Sequence, residues 1–315
     1  MQHARYRKAF FTFIILMLAQ MCQATIEHDN SSIELNGELI AIASAQESFL
    51  RKNSHKKERL KYVIGPWQGG MAMCLHSVLN QLLYCEKNNR IPVVYWNSDS
   101  FYFDTRGFNG HKNVWNYYFQ PLSKLSYRNP DKIHVYYEGK GYGTFNYYDT
   151  NQEKRNSAYR LIKKYIKPNK IVQNKIDDYY KKNMSGKKTI GIHIRGTDKH
   201  TEEKPVDPYR MVEEALKHAD ADTQFFVASD EKKLISEITT LLKDYRVISY
   251  DCYRSEDPNQ PLHLPVRRPS RAQLGEDVVI EMILLSKCNM LIHTLSNVSA
   301  IPLYFNPSMP HVLLK

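Results

Sequence analysis

The chain holds five cysteines in 315 residues (Cys22, Cys74, Cys85, Cys252 and Cys288), and none forms a C-x-x-C pair. Thiols this far apart speak against a zinc finger or ribbon. With Cys22 set aside as part of the N-terminal segment, the other four suit one or two disulfides or buried free thiols equally. No G-x-x-x-x-G-K-S/T run is present, and no G-x-G-x-x-G follows the first apolar strand. Their absence speaks against a P-loop NTPase and against a standard dinucleotide-dependent dehydrogenase. Acidic residues are in the minority, 33 against 44 Lys and Arg, for a formal charge of +11. The cations are spread along the chain, so they give no sign of a nucleic-acid stripe, and no nucleic-acid partner is expected. A positive balance also suits an enzyme that holds a phosphorylated substrate.

Long apolar runs are scarce too. The strongest lies at 9–19 (A-F-F-T-F-I-I-L-M-L-A), behind the basic start M-Q-H-A-R-Y-R-K and ahead of the small residues around Cys22-Gln23-Ala24. That three-part pattern predicts a secretory signal over 1–24, or an uncleaved membrane anchor, although the run is shorter than the ~20 residues a span needs. The addresses it implies are the secretory pathway, with the Golgi lumen or an anchored form in a eukaryote, and the cell envelope or export in a bacterium. Residues 25–60 are polar and read as a stem. Asn-x-Ser/Thr sequons stand at Asn30, Asn183 and Asn297.

From residue 61 the pattern becomes that of a packed domain. K-Y-V-I at 61–64 reads as a strand, G-P-W-Q-G-G as a turn, Leu75 to Leu83 as a helical stripe, and I-P-V-V-Y-W at 91–96 as a second strand. Strand, turn, helix and strand in this order make a β-α-β unit. The stretch 97–150 is rich in Tyr, Phe and Trp, which suits either sugar or peptide contact or an insertion into the core. Residues 153–184 read as a basic amphipathic helical region. Beyond 187, strands at 187–194, 223–230, 246–250 and 289–294 alternate with helices at 208–219, 231–242 and 276–288, and a short helix opens at 295–300. The fold class is α/β, with two Rossmann-like domains expected at 61–185 and 186–315.

In open parallel sheets, ligands bind beyond the carboxyl ends of the strands. Three strand ends in the second half carry polar clusters: His193, Arg195, Asp198 and Lys199; then Ser229, Asp230 and Glu231; then Thr294, Ser296, Asn297 and Ser299. Arg195 offers a planar fork for phosphate, and hydroxyls and N–H groups ahead of a helix cradle anions. Asp230 serves a base or ribose, or caps the next helix.

The stretch H-I-R-G-T-D-K at 193–199 resembles the H-x-R-R-T-D-K motif of the α1,6-fucosyltransferase and nodulation fucosyltransferase superfamily. V-A-S-D-E at 227–231 and I-E-M-I-L-L-S-K-C-N-M-L-I-H-T-L-S-N-V-S at 280–299 follow in the superfamily's order, and G-G-M-A-M-C-L-H-S-V-L-N-Q-L-L-Y at 69–84 resembles its first strand–turn–helix. The resemblance implies a GT-B-like fold, with two Rossmann-like domains facing across a cleft, acceptor side first and donor side second. It implies an inverting, metal-independent transfer of fucose from GDP-fucose to a glycan or glycoconjugate hydroxyl, with no cofactor. By the same resemblance, Arg195 binds the donor β-phosphate, Lys199 follows in the motif, and Glu203 falls on a proposed acceptor base, with Glu202 beside it. His193, Asp198, Asp230, Glu281, Thr294, Ser296, Asn297 and Ser299 fall on the donor side. Two positions depart from the pattern. Gly196 replaces the second arginine, which leaves Arg254, Arg267, Arg268 or Arg271 to supply its charge, and Glu281 replaces an aspartate. Those departures keep open a catalytically silent GDP-sugar- or glycan-binding relative, or a transferase for another nucleotide sugar.

Overall fold

The computed structural model describes residues 60–125, 133–134, 143–197, 205–257 and 270–315. The signal or anchor segment and nearly all of the stem, Leu60 excepted, lie outside these residues, as do Asp198, Lys199, Glu202, Glu203, Arg267 and Arg268. Residues 60–315 form one compact unit.

Its first half is built on β1 (Lys61–Ile64), α1 (Met71–Lys87), β2 (Ile91–Val94), α2 (Val114–Tyr118) and β3 (Ile133–His134), followed by α3 (Gln152–Tyr165) and α4 (Lys170–Asn183). The strands form a parallel sheet in the order β2-β1-β3. The basic helical region is two helices, because Pro168 lacks an N–H and Asn169 caps the second by accepting from Val172 N. The aromatic stretch is core: Trp96, Trp115, Tyr117, Tyr118, Phe119 and Phe145 are fully buried.

The second half contains β4 (Thr189–His193), α5 (Pro208–Leu216), β5 (Gln224–Ala228), α6 (Lys232–Leu241), β6 (Arg246–Ile248), α7 (Arg271–Ser286), β7 (Met290–Thr294), α8 (Asn297–Phe305) and β8 (His311–Leu314). All five strands are parallel, in the order β6-β5-β4-β7-β8. Strands β4 and β5 are buried along their whole length. Alternate residues of these strands serve different layers. Ile190, Ile192, Phe225 and Val227 join one hydrophobic cluster with Met211 and Ile238 of α5 and α6, while Phe226 and Ala228 join the other with α7. Helices on both faces make this a doubly wound sheet.

α7 begins five residues before the expected start. Ser270 caps it, accepting from Gln273 N, and Gly275 lets it lie against Tyr102 and Tyr118 where a Cβ would collide. The larger hydrophobic cluster runs from β1 and α1 through α7 to α8, so the two sheets share core residues. Cys74, Cys85, Cys252 and Cys288 are all free thiols. Burial pushes Cys74 up to about 12, which keeps it a thiol at neutral pH.

Candidate active site

The chain leaves β4 on one side toward β5 and β6, then returns to β4's other side as β7. The β4–β7 boundary is therefore the topological switch point, where the loops beyond the strands diverge and leave room for a ligand. The described members of the expected polar clusters lie on adjacent strand ends there, since His193 pairs in register with Ala228 and His293 on the flanking strands.

Arg195 is held from both sides of this boundary. Its backbone N–H donates to Thr294 Oγ1 at 3.1 Å, and its Nη1 lies 3.0 Å from Asp230 Oδ2. Asp230 Oδ1 also accepts from Gly196 N at 2.8 Å, and Oδ2 from Thr197 Oγ1 at 2.6 Å. Asp230 is thus neither the helix cap, which is Glu231, nor a carboxylate free to meet a ligand. Both its oxygens fasten the loop that carries Arg195. Thr197 sits at φ +30°, a strained backbone for a β-branched residue, and this network holds it there. A Cβ on Gly196 would come within 2.5 Å of Glu231 Oε2 and 2.7 Å of Glu231 Cβ, so this loop has no room for a second arginine.

His193 is 4% exposed, and among the described residues its Nδ1 has no hydrogen-bond partner. Burial, helped by the neighbouring Arg195 charge, lowers its pKa to about 3, so the ring is neutral. Beyond β7, Ser296 caps α8 by accepting from Val298 N at 3.1 Å, and Ser299 Oγ donates to the carbonyls of Thr294 and Ser296. The Ser299 hydroxyl therefore shapes the turn and is 1% exposed.

Arg254 is committed away from any phosphate. It donates to the carbonyls of Ser229 and Tyr250 and to Glu281 Oε1, the last at 2.6 Å, with 8% and 11% of the two side chains exposed. Glu281 is thus the buried counter-ion of Arg254. Its longer reach than aspartate serves that pair. Arg271 opens α7.

His76 went unnoticed in the sequence. Its Nδ1 donates to Asn297 Oδ1 at 2.9 Å, linking α1 of the first half to the start of α8 in the second. Burial lowers its pKa to about 4, and its Nε2 lacks a partner among the described residues. A histidine inside an apolar helical stripe gives no local signal of such a role; the long-range partner is the signal. The D-A-D triplet at 220–222 lies at the amino end of β5, where Asp220 accepts from Lys188, away from the switch point. Among the described residues no group of three His, Cys, Asp or Glu is placed to hold a metal ion.

Residues 158–300 match the family profile of α-(1,6)-fucosyltransferase N- and catalytic domains. The match, over somewhat less than half of the chain, supports the fucosyltransferase superfamily. A glycosyltransferase is the activity class that this match supports. The matched residues run from α3 into α8 and contain the whole switch point. Among solved structures, the chain is similar to NodZ α-1,6-fucosyltransferase co-crystallised with GDP, at 17% identity and a TM-score of 0.53, over 82% of this chain and 96% of that one. A fucosyltransferase NodZ from Bradyrhizobium aligns at 17% identity and a TM-score of 0.51, over 79% and 92%. A variant of the Arabidopsis thaliana FUT1 in complex with GDP aligns at 13% and 0.51, over 85% and 74%. At these identities the likeness establishes a shared fold, that of GT-B fucosyltransferases. No curated protein matches the chain by sequence.

Proposed function

We propose that the chain transfers fucose from GDP-fucose to a hydroxyl of a glycan or glycoconjugate, with inversion at the anomeric carbon and without a metal ion. The observation that carries this reading is Arg195, fixed at the β4–β7 switch point by Thr294 and Asp230 inside the family-matched region. Solved relatives of this fold hold GDP.

The chemistry follows from the charges. As the C1–O bond to GDP breaks, its electron pair moves onto the β-phosphate, and an acceptor oxygen bonds to C1 from the opposite face while its proton passes to a base. Positive charge and N–H dipoles preorganised at the departing phosphate lower that barrier, and the loss of one such group typically costs a factor of about 10²–10³ in rate. Arg195 supplies the charge, and the start of α8 at Ser296 and Asn297 supplies the dipoles. The neutral Nδ1 of His193, which has no partner among the described residues, is available to a donor hydroxyl or phosphate. By the motif resemblance, Glu203 is the proposed base, and Asp198 and Lys199 are assigned to the donor's side of the reaction.

Thermal-shift titration with GDP, GDP-fucose and ADP tests donor class, and GDP release from GDP-fucose tests turnover. GDP compounds should stabilise the chain and ADP should not. Arg195→Ala should cost about 10² in kcat or more while the protein stays folded, and EDTA should leave the rate unchanged. Stabilisation by GDP without any turnover would favour a silent relative. Full activity of Arg195→Ala would remove the role given to Arg195.

A further inference from the structure

Helices α3 and α4 carry ten Lys and Arg against three Asp and Glu over residues 152–183. Much of that charge is already used. Lys154 pairs with Asp149, Arg160 and Lys164 both pair with Glu86, and Lys175 pairs with Glu276. Lys163, Lys167 and Lys170 differ: all three are exposed and make no ion pair among the described residues. They line one cavity of about 520 Å³ where the two helices meet the end of α8. That volume lies in the range of ligand-binding clefts, about 300–1,000 Å³.

The rest of the lining has a matching chemistry. Tyr159 is 37% exposed and lines the cavity with the lysines, with Phe305 also in the wall. Buried Ile162 and Ile166 form a floor. Asn174 brings an amide suited to hydroxyl groups, and Gln120 its side-chain carbonyl, its Nε2 already donating to Pro168 O. Aromatic face, amides and unpaired ammonium groups in one concave site are what a sugar ring bearing carboxylate or sulfate requires.

We propose that this cavity is a second carbohydrate site, which binds an acidic oligosaccharide through Lys163, Lys167 and Lys170 with a ring stacked on Tyr159. It lies by Phe305, at the opposite end of α8 from Ser296 and Asn297, roughly 13 Å along a nine-residue helix. It therefore recognises a part of a glycan distant from the transfer point. The proposal does not depend on the nature of the donor.

The test is calorimetric titration of the full chain, using a trigalacturonate, a sulfated disaccharide and an uncharged trisaccharide as probes. Binding of an acidic probe, weakened as added salt shortens the screening length from about 10 Å to about 3 Å, is expected. The triple variant Lys163→Gln/Lys167→Gln/Lys170→Gln should bind about tenfold more weakly or worse, because it removes three exposed cations that each attract the probe modestly. Tyr159→Ala should weaken the charged probes without altering their salt dependence. GDP stabilisation should be unchanged in both variants, which separates failure here from failure of the donor reading. No binding of any acidic probe, equal binding by the triple variant, or a preference for phosphatidylserine vesicles or RNA over the acidic sugars would each overturn the proposal.

Discussion

Gly196 is the residue whose meaning changes most between sequence and structure. As a letter it is the missing second arginine of a motif. In space it lies where the Arg195 loop passes over Glu231, with Leu234 Cδ1 2.9 Å from any added Cβ. Glu231 and Gly196 therefore behave as a pair, with the larger residue on one side dictating the smaller on the other. Forcing a methyl group into a packed contact typically costs about 1–3 kcal/mol. Gly196→Ala should destabilise the chain by about that much in urea unfolding. In a Glu231→Gly background, tolerated because glycine is an acceptable helix cap, the same change should cost less than half as much. Equal costs in both backgrounds would show that the close approach is not the reason for the glycine. Asp230 teaches the same lesson. Its letter allows a cap or a ligand contact, and its three hydrogen-bonded partners in loop 195–197 give it a third job that no sequence spacing indicates.

The strands and helices of the second half were legible because each has a single physical cause. Buried parallel strands must be apolar throughout, so β4, β5 and β7 stand out, and the helices between them show apolar stripes. β8 was not legible, because His311–Leu314 is an edge strand whose pairing with β7 is set by tertiary contact. The aromatic stretch was ambiguous for a different reason: Tyr and Trp serve cores and ligands alike, and burial alone decides. The link from His76 to Asn297 was invisible because it spans 221 residues. The start of α8 combines both kinds of interaction, since Ser296 caps it locally and Asn297 ties it to the distant α1. Ser296→Ala should cost about 1 kcal/mol of stability by chemical unfolding, the usual value of a lost cap, while Ser296→Asn should restore most of it. Were both variants equally weak, the hydroxyl would be serving something other than the cap.

Across the whole chain, the buried histidines tie stability to pH. His76 is lowered to about 4, and His193 and His293 to about 3, each chiefly by burial. His293 is further discouraged from charging by His311, whose Nδ1 lies 2.9 Å from His293 Nε2, and by Arg155 behind it. In the unfolded chain each ring takes a proton near pH 6.5. Below that pH the unfolded state binds protons that the native state refuses, so stability is lost as pH falls from 6.5 toward these lowered values. Asp277 acts in the opposite direction. Burial raises it to about 6, so the native state holds a proton there that the unfolded state has already released, and it gains stability on acidification between about 4 and 6. At pH 6 the three histidines, joined by His311, which burial also lowers, outweigh Asp277 and the raised Glu281, for a net uptake on the order of two protons on unfolding, or about 2–3 kcal/mol per pH unit. Urea midpoints measured from pH 7 down to 5 should fall with that slope, and His293→Asn should make the slope shallower by about one proton. A flat profile over the same range would mean that these rings exchange protons freely in the folded chain, and the neutral His193 proposed beside the donor would then lose its physical basis.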